Sequence, residues 1–167
     1  MIITNLFNVQ NKVAIVTGGS RGIGEMIAAG FLANGVKVYI SARKAPALIE
    51  KAKELSEKYE QECIPIPCDL STEEGINDFH QYIVEKEDGI DFLINNAGAA
   101  WGEPFENFSE NGWNKVMDLN VKSIFFLTQK FKSLLLKRAS LDDPSRIINI
   151  GSIDGLNVPA FETYSYS

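Results

Sequence analysis

Val13-Ala-Ile-Val16 is an unbroken apolar run, the pattern of a strand buried on both faces. After a glycine cluster, apolar residues recur at Ile23, Ile27, Phe31 and Leu32, a helical spacing that Asn34-Gly35 closes. Val36 to Ile40 reads as a second strand, and Leu48, Ala52, Leu55 and Tyr59 form the stripe of an amphipathic helix. Ile64 to Cys68 is a third strand made irregular by two prolines. Ser71-Thr-Glu-Glu74 has the form of a capping box with Ser71 as the cap, opening a helix through Ile76, Phe79 and Ile83. Ile90 to Ile94 is a fourth strand. Proline is absent from about Ser109 to Lys137, which predicts one long helix with a stripe at Trp113, Val116, Met117, Ile124, Thr128, Phe131 and Leu135. A polar loop, Arg138 to Ser145, leads to a fifth strand, Arg146 to Ile150.

This βαβαβαβαβ order predicts an α/β fold, a Rossmann-like doubly wound parallel sheet with helices on both faces, forming one domain over 1–167. Parallel strands buried on both faces need helical cover, and only a loop-like tail follows the fifth. The chain is therefore read as the larger N-terminal part of a longer domain, truncated at its C-terminus.

Composition narrows the chemistry. With 45% hydrophobic and 23% charged residues, a packed core is expected. Sixteen Lys and Arg against 22 Asp and Glu give a net charge of −6, which argues against nucleic acid or an anionic membrane as the main partner. No apolar run reaches the ~18 residues of a membrane span, and Met1 to Gln10 lacks the features of a leader, so a cytoplasmic protein is expected. Cys63 and Cys68 stand at an odd offset on one strand, which points their sulfurs to opposite faces and disfavours a disulfide or a shared metal. His80 is the only histidine, and it reads as part of a helix surface. No metal site is expected, and chemistry without histidine is.

The first strand runs into Thr17-Gly-Gly-Ser-Arg-Gly-Ile-Gly24, whose glycines at 18, 22 and 24 suit either a plain turn or a dinucleotide loop at a helix N-terminus. No Gly-Lys-Ser/Thr follows, which excludes a Walker loop. The second strand ends in Ser41-Ala-Arg43, and the first acid beyond it is Glu50. Arg43, helped by Arg21, would attract a 2′-phosphate, so NADP is the expected cofactor; two solvated arginines are the bland alternative. A Rossmann-type methyltransferase would want an acid at this strand end. Asp69, at the end of the third strand, suits either an adenine amino group or a helix cap. Asn95-Asn-Ala-Gly98 closes the fourth strand at the same sheet edge, where two amides and two small residues suit either close backbone approach with local hydrogen bonding or a simple turn. Asn120 interrupts the apolar stripe of the long helix, as a structural linker or as a site that orders water. Leu would suit the stripe there, so Asn120→Leu is expected to leave the fold largely intact and to reduce turnover. Ser152 follows the fifth strand, and Tyr164-Ser-Tyr-Ser167 lies downstream.

In this order, Thr17-Gly-Gly-Ser-Arg-Gly-Ile-Gly24, Asn95-Asn-Ala-Gly98, Asn120, Ser152 and the Tyr-Ser-Tyr-Ser run resemble the short-chain dehydrogenase/reductase family, from Lys12 to Ser167. Within it the chain is similar to 3-oxoacyl-thioester reductases of the rhamnolipid and fatty-acid type. The resemblance implies an NADPH-dependent oxidoreductase that reduces a small-molecule or acyl-thioester carbonyl. Gly18, Ser20, Arg21, Gly22, Ile23 and Gly24 would contact the cofactor phosphates and ribose. Arg43 would take the 2′-phosphate, Asp69 and Leu70 the adenine, and Asn95, Ala97 and Gly98 the region near the nicotinamide ribose. Catalysis would fall to Ser152, holding the carbonyl oxygen, Tyr166, donating the proton, and Asn120, holding a water. Tyr164 is the alternative to Tyr166. The family's lysine would stand four residues beyond Tyr166, outside the 167 residues of this sequence, so the chain as written is not expected to be catalytically competent. The resemblance also implies a homo-tetramer, with Phe126, Leu127, Leu134 and Leu136 of the long helix as a contact face. Trp101, Phe105, Phe108, Val158, Pro159 and Phe161 suit either an apolar substrate pocket or the packing of surface loops. The alternatives are a cofactor-binding relative or fragment without turnover, and an alcohol dehydrogenase working in the oxidative direction.

Overall fold

The computed structural model of the chain describes residues 8–156, so Val158, Pro159, Phe161, Tyr164 and Tyr166 lie outside the described residues. Five strands, β1 (Val13–Thr17), β2 (Lys37–Ala42), β3 (Cys63–Pro67), β4 (Phe92–Asn95) and β5 (Arg146–Asn149), form one parallel sheet in the order β3-β2-β1-β4-β5. The connecting helices are α1 (Gly22–Ala33), α2 (Ala45–Tyr59), α3 (Glu73–Lys86), α4 (Glu110–Met117) and α5 (Ser123–Arg138).

Alternation along the strands divides the core. Ile15, Tyr39 and Leu93 pack on one side against Phe79, Ile83, Leu127 and Phe131 of α3 and α5. Ala14, Val16, Val38, Ile40 and Ile94 face the other side, against Ala28, Leu32, Leu48 and Leu55 of α1 and α2. The two cysteines follow the same rule: Cys63 joins the second cluster, Cys68 packs against the first, and both thiols are free. Burial pushes both of them up to about 12.

Four local features differ from the sequence reading. The helix expected over 109–137 is broken at Asp118–Lys122 by a π-helical turn, in which the Ser123 N–H reaches back to the Asp118 carbonyl. The Leu119 carbonyl is capped instead by the Ser123 hydroxyl at 2.6 Å. Leu127 and Leu134, expected on an outer contact face, are core residues that share one face of α5 with Phe131 and Leu135, whereas Trp113 of the expected stripe is 56% exposed. The cap of α3 is Thr72, whose hydroxyl accepts the Gly75 N–H at 3.0 Å, because Ser71 is engaged by Asp69. His80 is half-buried rather than on an open helix surface, with its ring edge-on to Phe131 of α5 at 5.2 Å, and burial holds its pKa below the usual value.

β5 is the outer strand on its side of the described sheet, and Ile147 and Ile148 are both solvent-exposed. An apolar groove lined by Thr128, Leu135, Leu136, Ala139 and Ile147 runs between α5 and this strand. Among the described residues, no helix is long and apolar enough to cross a membrane and no cluster of metal-ligating side chains occurs.

Candidate active site at the carboxyl edge of the sheet

All five strands are parallel, so the segments that follow them emerge at one edge. The strand order reverses between β1 and β4, and ligands of such sheets bind in the crevice outside the carboxyl ends at that point. On its β1 side stands the glycine loop. Gly18 has φ +68°, a left-handed conformation that side chains resist. Gly24 faces the Gly18 carbonyl and the Asn96 amide so closely that a Cβ would overlap both. The loop delivers the chain to the start of α1, where Arg21 is extended and makes no side-chain cap. By contrast α3 and α4 are capped by Thr72 and Ser109. The first turn of α1 thus offers backbone N–H groups and a positive dipole end to an anion.

The loop is held by Thr17 and Asn96. The Thr17 hydroxyl, 1% exposed as a residue, accepts the N–H groups of Asn96 and Ala97, both at 2.9 Å, and donates to the Ile94 carbonyl at 3.3 Å. The Asn96 amide donates in return to the carbonyls of Thr17 at 2.9 Å and Gly18 at 3.3 Å. The segments after β1 and β4 are therefore one hydrogen-bonded unit. A buried hydroxyl at a strand end, which must find partners, was the sequence signal available.

Towards β2 and β3 the site becomes basic and then acidic. Ser20 is half-buried in the loop, while Arg21, Gly22, Ile23 and Arg43 are exposed, and neither arginine is ion-paired within the described residues. One oxygen of Asp69 accepts from the Ser71 N–H at 3.0 Å and the Ser71 hydroxyl at 2.7 Å, so this carboxylate shapes the turn into α3. Leu70, expected beside the adenine, is 4% exposed and its side chain belongs to the core. What it can offer a ligand is backbone.

Towards β4 and β5, Asn95 is 3% exposed and donates from its amide to the Asn149 side chain at 2.8 Å, tying the two strands together. Ala97 is half-buried and Gly98 exposed. Asn120 sits in the π-helical turn and is half-buried rather than part of a core stripe. Its amide grips Ala99 at both backbone groups, accepting from the N–H at 2.8 Å and donating to the carbonyl at 3.0 Å. These bonds are those of a linker between the segment after β4 and the helix. Leu at 120 is therefore not the neutral change that the stripe suggests. Asn120→Leu strands two half-buried polar groups and is expected to cost about 1–3 kcal/mol, with the thermal midpoint falling roughly 2–4 °C per kcal/mol. An unchanged midpoint would contradict this role. Ser152 follows β5 at the same edge, half-buried, with its carbonyl accepting the Gly155 N–H at 3.2 Å. Trp101 and Phe108 of the expected apolar pocket are half-buried and Phe105 is 76% exposed.

Comparison with known proteins places this geometry among relatives. The family described as short chain dehydrogenase matches residues 12–167. The chain is 44% identical over 160 residues to the rhamnolipids biosynthesis 3-oxoacyl-[acyl-carrier-protein] reductase of Pseudomonas aeruginosa, covering 96% of this chain and 62% of that protein. The solved RhlG/NADP active-site complex from that organism superposes with a TM-score of 0.90 at 44% identity, over 96% of this chain and 62% of the other. L-Sorbose reductase of Gluconobacter frateurii, complexed with NADPH and L-sorbose, has a TM-score of 0.87 at 28% identity over 95% of this chain and 59% of its own. The chain spans about three fifths of the length of these relatives.

Proposed function

The chain belongs to the short-chain dehydrogenase family, and on that premise we propose that the protein is an NADPH-dependent reductase of carbonyl compounds, with 3-oxoacyl thioesters as the substrate class. The observation that carries the cofactor half of this reading is the pairing of a glycine cradle at the uncapped start of α1 with Arg43 at the end of β2, where no carboxylate stands to receive a 2′-hydroxyl. Similarity to the 3-oxoacyl-[acyl-carrier-protein] reductase supports the substrate class.

The chain's residues divide the work along the edge. The loop from Gly18 to Gly24 and the first N–H groups of α1 hold the pyrophosphate. Arg43 and Arg21 hold the 2′-phosphate through charge-assisted hydrogen bonds. Asp69 and the Leu70 backbone face the adenine, while the backbone from Asn95 to Gly98 borders the nicotinamide ribose. When bound, NADPH supplies the hydride. Ser152 orients the carbonyl oxygen by donating its hydroxyl hydrogen, and Tyr166 gives its phenolic proton to that oxygen as the carbon is reduced. Asn120 holds Ala99, and with it the segment after β4, in register with the helix.

The test is cofactor choice in the full-length protein. Arg43→Ala should lose charge-assisted bonding worth about 1.5–3 kcal/mol in all, weakening NADPH by roughly 10-fold to 100-fold while NADH changes little. Equal losses for the two cofactors in a titration would remove the assignment.

A further inference from the structure

The segment that leaves β4 crosses the edge of the site without helix or strand until the short 3-10 turn at Phe105–Asn107, and it is anchored at alternate residues. Ala97 is held by Thr17, and Ala99 by Asn120. Glu103 accepts the Ser109 N–H at 2.7 Å, in front of the helix that Ser109 itself caps. Between these anchors, the Trp101 indole lies directly on the backbone of α4 at Gly112, where a Cβ would overlap the ring. The Lys115 ammonium stands 4.2 Å from the ring centroid, within cation–π range. The anchored residues 97, 99, 101 and 103 are half-buried, while Gly98, Ala100 and Gly102 between them are exposed. The Glu103 carboxylate is held below the usual range chiefly by the Ser109 N–H.

We propose that Trp101 is a positioning residue for the nicotinamide half of the cofactor site. Its indole, fixed between Gly112 and Lys115, sets the path of residues 98–102 along the crevice. The proposal rests on the reading of the site as an NADPH site. The sheet order supplies the rest: with the pyrophosphate at the end of β1 and the 2′-phosphate beside β2, the nicotinamide end extends over β4, the strand from which this segment leaves. A wall of small residues has no side chains of its own to hold its shape, so its conformation depends on the anchors behind it. Trp101 is the largest of these. Gly112, which admits the ring, and Lys115, which covers it, are its partners on α4.

The full-length protein tests this with two ligands, NADPH and adenosine 2′,5′-bisphosphate, which carries the 2′-phosphate and lacks the nicotinamide. Trp101→Ala should weaken NADPH about 10-fold and lower kcat, and leave the bisphosphate within about twofold of the parent. Trp101→Phe keeps the ring against Gly112 and Lys115 and should restore most of both losses. Gly112→Ala, which displaces the ring without removing it, should reproduce the Trp101→Ala pattern. If Trp101→Ala binds NADPH as the parent does, or loses both ligands equally, Trp101 does not position the nicotinamide half. If the parent fails to bind the bisphosphate, the NADPH reading itself has failed, which is a separate outcome.

Discussion

In the full-length protein, Tyr166→Phe should lower kcat by about 10²–10⁴-fold, the range removed with a general acid, and leave NADPH affinity nearly unchanged. Tyr164→Phe should retain most of the activity. The two tyrosines compete because each precedes a serine, in Tyr164-Ser-Tyr166-Ser167. Tyr166 matches the opening of the family's Tyr-Ser-x-Ser-Lys run, as the resemblance implies. Ser152 already stands at the carboxyl edge, after a strand whose register is tied to β4 by the Asn95–Asn149 bond and by the Ile150 N–H donating to the Asn95 carbonyl at 2.9 Å. A donor for the carbonyl oxygen must reach that same edge. Steady-state rates for the two variants, with NADPH affinity measured alongside, separate the candidates. The opposite pattern would make Tyr164 the donor, and full activity in both would end the phenol mechanism.

The parts of the fold legible in the sequence are those governed by short-range pattern. The apolar run Val13–Val16 and the glycines that follow it specify a buried strand, a turn and a helix start with no help from distant residues. The opposite facing of Cys63 and Cys68 follows from strand geometry alone. The π-helical turn was hidden because Asp118-Leu-Asn-Val-Lys122 contains no proline or glycine to mark a break. What accompanies the turn is the grip of Asn120 on Ala99 and the back-bond of Ser123, the first a contact between residues far apart in sequence. An extra residue in a helix advances its face by about a quarter turn or slightly more. Gly112 and Phe131 therefore share the buried face, which an unbroken helical period would place apart. The same step helps to explain why the stripe read from sequence misplaced Trp113. The Thr72 cap was missed for a comparable reason. Ser71 fits the capping pattern, but Asp69 takes its hydroxyl, which only the turn geometry reveals. Thr17 and Asn96 looked like turn residues because their bonds cross between β1 and β4, and that pairing is set by the sheet order rather than by chain neighbours.

That interlock makes Gly24 the position where the smallest chemical change should have a large consequence. An added methyl would overlap the Gly18 carbonyl, which is backbone, and the Asn96 amide, which is committed to Thr17 and Gly18. Neither neighbour can move without moving the loop. Overpacking of this kind costs about 1–3 kcal/mol, and the displaced loop is the one proposed to hold the pyrophosphate. Gly24→Ala should therefore lower the thermal midpoint by several degrees and weaken NADPH by about 100-fold or more, since a dinucleotide loop needs close backbone approach at its glycines. Gly30→Ala is the matched control. It lies on the same helix, is exposed, and a Cβ there would meet nothing within 4 Å. With the cost of a helical glycine removed, it should raise stability by about 0.5–1 kcal/mol and leave cofactor binding untouched. Calorimetry of the two variants with and without NADPH reads both effects. A Gly24→Ala protein that binds NADPH as tightly as Gly30→Ala would show that the close contact of Gly24 with Gly18 is packing alone, and that the phosphate cradle lies elsewhere.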